Sequence, residues 1–93
     1  MKAFEVRRAS VQSQYGLAME GIRLAMENGH KSTRVGYGTL YPEVAEMIAK
    51  DGFDIKIVKS DSHIMSYNEV SWENAKEGKK GTITYYVDET FDL

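Results

Sequence analysis

The sequence predicts an α+β domain, a two-layer α/β sandwich in the order α-β-α-β-β-β, with a mixed four-stranded sheet and two helices on one face. Three observations predict it: a long opening stretch with apolar residues at helical spacing, a strand, helix and strand punctuated by glycines, and a final third of short alternating runs. The length of 93 residues, with 42% apolar and 28% charged, is that of one soluble globular domain over 1–93.

Helix one is expected from about residue 3 to 28, because Phe4, Val11, Tyr15, Ala18, Ile22, Ala25 and Met26 share one side of a 3.6-residue period. A break near Ser10 to Ser13 is a second reading, and Asn28-Gly29 supplies the stop. Ala18, Gly21 and Ala25 form a small-residue face on which another backbone can approach, either helix two or helix one of a second copy. STRVGYG then alternates as a strand, and Pro42 with Glu43 opens helix two, which runs to about Asp51 and closes at Gly52. In FDIKIVKS, Phe53, Ile55 and Ile57 mark a half-buried strand, so the passage reads as a parallel strand–helix–strand unit. One strand is expected between His63 and Trp72, a polar hairpin loop at EGKKG (77–81), and a last strand in TITYYV. Tyr85 and Trp72 are expected inside; Tyr86, Lys56 and Arg34 are expected on the sheet's other face.

The chain has no cysteine, which excludes disulfides, thiolate metal sites and a cysteine nucleophile. No apolar run is long enough to span a membrane, and the opening MKAFEVRRASVQ lacks the apolar core of a signal peptide. Net charge is −2, unevenly spread: residues 1–59 carry nine Lys and Arg against seven acids, residues 60–93 three against seven. Direct nucleic-acid binding is disfavoured, because neutralising phosphates takes a basic excess. The closing VDETFDL is an acidic stretch that reads either as solvated surface or as a surface for a basic partner. A domain this small buries a thin core, which favours a homo-oligomer.

The stretch GYGTLYP raises the question of a ligand. A dinucleotide fingerprint needs a third glycine where Tyr41 stands, and a P-loop needs a Gly-Lys-Ser/Thr that is absent. What remains is a turn at Gly36–Gly38 ahead of a helix amino terminus, where backbone N–H groups attract anions. A parallel pair puts its carboxyl ends at one sheet edge, so the loops at 36–42 and 59–63 are expected as neighbours. The ligand-binding candidates there are Tyr37, Thr39, Tyr41, Lys59, Ser60 and His63. Asp61 and His63 lie too close on one turn to make a nucleophile with its base and orienter, and no metal-ligand spacing occurs, so neither catalysis nor a cofactor is expected.

The segments AFEVRRAS, AMENG, IAKDG, FDIKIV and the late EVSW resemble small uncharacterised accessory proteins of tailed phages and prophages, over about residues 3 to 72. The glycine turn and the additional carboxyl-terminal strand depart from that pattern, and no residue role carries over. The resemblance implies a cytoplasmic protein of an infected host bacterium that acts by binding, not catalysis. The expected function is anti-defence work by stoichiometric capture of a nucleotide or other small anionic ligand. The alternative is a surface inhibitor of a host defence or nucleic-acid-processing protein.

Overall fold

The computed structural model describes residues 1–36, 40–60 and 66–88, with only the backbone of Ser60 and Asp88. Its elements are α1 (Ala3–Glu27), β1 (Ser32–Arg34), α2 (Pro42–Lys50), β2 (Asp54–Ser60), β3 (Tyr67–Ser71) and β4 (Ile83–Asp88). The class and element order are those the sequence predicts.

Both helices end as their glycines require. Gly29 has φ +81° and Gly52 φ +100°, the left-handed region that a side chain disfavours. Beyond each, a backbone N–H reaches back into the last turn: His30 to the Ala25 carbonyl at 2.9 Å, Phe53 to the Ile48 carbonyl at 3.4 Å. α1 runs unbroken through Ser10, whose hydroxyl donates to the Val6 carbonyl at 2.9 Å. With 25 residues, it is about 37 Å long at 1.5 Å per residue, longer than the body it packs on. Val11, Ala18, Ile22 and Ala25 are therefore buried, whereas Phe4, on the same helical stripe, overhangs and stays 58% exposed. The small-residue face packs on the end of β1: a side chain at Gly21 would start 4.0 Å from Val35 Cγ1.

The sheet order is β1-β3-β2-β4, with β3 antiparallel to both neighbours and β4 parallel to β2. β1 and β2 thus run the same way, as expected, but β3 lies between them. The carboxyl ends of β1 and β2 sit about 9.5 Å apart, two strand spacings, instead of side by side. The core lies between the sheet and the helices. Val44, Ala45 and Ile48 of α2 pack with Ile55 and Ile57 of β2 and Val70 of β3, while Ile22 of α1 and Val35 close one side. On the opposite face Arg34 stacks over the Tyr67 ring at 4.1 Å and Lys56 over the Tyr86 ring at 4.7 Å.

Two further expectations fail. β3 and β4 are not a hairpin, because residues 72–82 carry the chain past β2 to its far side. That path is fixed where it arrives: Gly81 N–H donates to the Ala49 carbonyl at 2.8 Å, Thr82 N–H to Asp54 Oδ1 at 2.9 Å, and Ile55 N–H to the Thr82 carbonyl at 2.8 Å. A Cβ on Gly81 would fall 1.8 Å from the Phe53 carbonyl oxygen, so no other residue fits that seat without moving backbone. Nor is Tyr85 inside. It is 62% exposed, because β4 is an edge strand and only Ile83, at its start, packs against the core. Trp72 does pack on the core, edge-on to Phe53 at 6.2 Å between centroids.

Candidate functional site

β1, β2 and β4 end, and β3 begins, along one edge of the sheet. Of the six sequence candidates, Tyr37, Thr39 and His63 lie outside the described residues, as does the Ser60 side chain. Tyr41 and Lys59 are described, and they stand apart in role. Tyr41 precedes α2, where its half-buried N–H donates to Gln14 Oε1 at 2.8 Å, and Arg7 lies 5.0 Å from the centre of its ring. Lys59 is exposed near the end of β2, in register with Val87.

The amino terminus of α2 already holds a carboxylate. Pro42 has no N–H to offer, and Glu43 pairs through both oxygens with Arg7 of α1, one contact being 3.1 Å. The Arg7 guanidinium, and then Glu43's own backbone N–H, hold the Glu43 carboxyl below its ordinary range. An anion arriving there would have to displace the protein's own. The helix dipole thus serves the α1–α2 contact.

The turn after β1 leaves a different opening. Gly36 has φ +73°, and a Cβ there would lie 3.0 Å from Leu40 Cδ2, so the first glycine of GYG is set by backbone geometry. Val35 N–H donates to the Asn68 carbonyl at 2.9 Å, and the Asn68 side-chain amide to the Val35 carbonyl at 3.1 Å, which clasps the end of β1 to β3. Beside that clasp is a groove of about 540 Å³. Gln14, Leu17 and Gly21 of α1 form one wall, and Arg34, Gly36 and Tyr67 the other. Among the described residues, Arg34 makes no ion pair, whereas Arg7 and Arg23 each bind carboxylates.

Chemically, the groove combines a guanidinium, a tyrosine ring, a side-chain amide and a glycine backbone. That is the equipment for a planar anion. Sequence reading missed Gln14, Arg34 and Tyr67 as one site. Gln14 carried a usable signal, a polar residue bordering the stripe of Val11, Ala18 and Ile22. Arg34 and Tyr67 carried none, because their proximity depends on β3 pairing with β1. Among the described residues no group of three His, Asp or Glu could hold a metal ion, and no helix is long and apolar enough to cross a membrane. No family model, curated protein or solved structure matches the chain.

Proposed function

We propose that this chain works by stoichiometric binding of a small anionic ligand with a planar base, a nucleotide, in the groove between α1 and the end of β1. The observation that carries the reading is Arg34, a cation without a carboxylate partner among the described residues, stacked on Tyr67 at the mouth of a 540 Å³ groove. Arg is suited to this role because its planar fork bonds phosphate in two places while its face stacks on aromatic rings. Gln14 and the Gly36 backbone supply polar groups on the walls, and Leu17 and Gly21 an apolar, shallow surface for a base. Among the described residues lining the groove, none are arranged as nucleophile, base and orienter, which favours capture as the action. The setting, a phage-type accessory protein acting against host defence, follows from the sequence resemblance.

Thermal unfolding in the presence of mono-, di- and cyclic nucleotides tests this. A ligand at a hundred times its Kd adds about 2.7 kcal/mol to stability and raises Tm accordingly. Arg34→Ala is expected to weaken binding on the order of tenfold to a hundredfold, the worth of a charge-assisted hydrogen bond. If no nucleotide raises Tm, or if Arg34→Ala binds as wild type does, the reading is lost and capture of a protein partner becomes the better account.

A further inference from the structure

We infer that β4 is an interface strand: it pairs antiparallel with β4 of a second copy, about a two-fold axis, and joins two sheets into one of eight strands. This does not rest on the nucleotide reading, which concerns the opposite edge.

The hydrogen-bonding groups come first. In a parallel ladder, alternate residues of a strand turn both N–H and C=O toward one neighbour. The bond from Ile55 N–H to the Thr82 carbonyl, with Ile55 in register with Ile83, assigns Thr82, Thr84 and Tyr86 to β2. Ile83, Tyr85 and Val87 therefore turn their backbone groups away from the sheet. β4 lies at the end of the strand order, so among the described residues no strand meets them.

The side chains agree. Tyr85, Tyr86 and Val87 are 62%, 49% and 57% exposed, three consecutive large residues spread over both faces of the strand. Edge strands are ordinarily blunted by lysine, proline, a bulge or shortness. From Ile83 to Val87 there is no charge and no proline, and the strand is six residues long.

Charge selects the occupant and its direction. The chain enters β4 from Lys79 and Lys80, and the strand ends at Asp88. Antiparallel pairing with an identical strand sets the basic entry of each copy near the Asp88 position of the other, twice over; a parallel pairing would set like beside like. With Tyr85 opposite the partner's Tyr85, Ile83 meets the partner's Val87, and all three outward residues exchange backbone bonds. That register keeps facing residues on the same side of the sheet, as a two-fold axis normal to it requires. It also brings the partner's Val87 alongside a groove of about 330 Å³ beside Ile83, between Ala49, Gly81 and the cationic Lys50 and Lys80.

Light scattering on the full chain, from low micromolar to several hundred micromolar, tests the inference. Twice the chain mass is expected at the upper end, falling toward the single-chain mass on dilution. Val87→Lys should be monomeric throughout with an unchanged circular dichroism spectrum, and Phe4→Lys, on the overhanging helix, should still dimerise. The charge-reversed Lys79→Glu/Lys80→Glu and Asp88→Lys proteins should each self-associate more weakly than wild type when alone and should pair when mixed. A wild type that stays monomeric overturns the inference. So does a dimer that survives Val87→Lys but not Phe4→Lys, or reversed proteins that fail to pair.

Discussion

The two edges of this sheet are finished in opposite ways. β1 is three residues long, carries Arg34, ends at a left-handed glycine, and has α1 packed across it through Gly21 and Val35. β4 is twice as long, uncharged from Ile83 to Val87, and left bare beyond the reach of α2. Both belong to a parallel set of strands, so strand direction does not explain the difference. Cover does: α1 is a long helix committed to β1, and α2, at nine residues, spans only the start of β4. A small domain with one long and one short helix leaves an edge for something else, and the two edges should respond differently to substitution.

The largest effect is expected where β4 begins. Gly81→Ala drives a methyl into the Phe53 carbonyl and should cost about 3 kcal/mol or more, read as a lowered midpoint in urea unfolding. A midpoint near wild type would mean that residues 81–82 are not docked on the α2–β2 junction. At the other edge, Gly36→Ala imposes a left-handed alanine and a 3.0 Å contact with Leu40. Because a leucine methyl can shift and a carbonyl cannot, about 1 to 2 kcal/mol is expected. Tyr85→Thr, by contrast, removes a side chain that its own fold hardly covers. At concentrations where the chain is monomeric its stability should change by less than about 0.5 kcal/mol.

A further small effect concerns how α1 is tied down. Tyr15 donates its hydroxyl to Asp51 Oδ2 at 2.5 Å, and this contact, then burial, pushes the phenol above its ordinary 10.0. A raised phenol favours the protonated folded state. Its contribution is complete below about pH 10 and disappears as pH rises through the raised value. Tyr15→Phe should therefore cost under about 1 kcal/mol near neutrality, the contact being solvent-screened, and should flatten the loss of stability above pH 10.

The sequence made one kind of information legible and hid another. Helix ends were readable because each is decided within a few residues: Asn28-Gly29 and Asp51-Gly52 carry their own stop chemistry, and Pro42 its start. The alternation of Phe53, Ile55 and Ile57 was readable for the same reason. Strand order was not. Whether β3 inserts between β1 and β2 depends on pairings such as Thr33 with Val70 and Ile55 with Val70, which leave no periodic trace. What followed from order was accordingly misplaced: the hairpin at 77–81, the burial of Tyr85, and the side-by-side placing of the ends of β1 and β2. For the site, the carboxyl edge was legible from strand direction, while Arg34 and Tyr67 meet only once β3 has taken its place.

Amide hydrogen exchange, followed residue by residue at a low and a high protein concentration, tests the contrast between the edges most directly. The amides of Thr84 and Tyr86 should be protected at both, because they bond to β2. Those of Ile83, Tyr85 and Val87 should exchange freely when dilute and slow down when concentrated, while Val35, bonded to Asn68 within the chain, should not respond. Equal protection of odd and even residues in β4, or rates indifferent to concentration, would contradict an edge left open for a second copy.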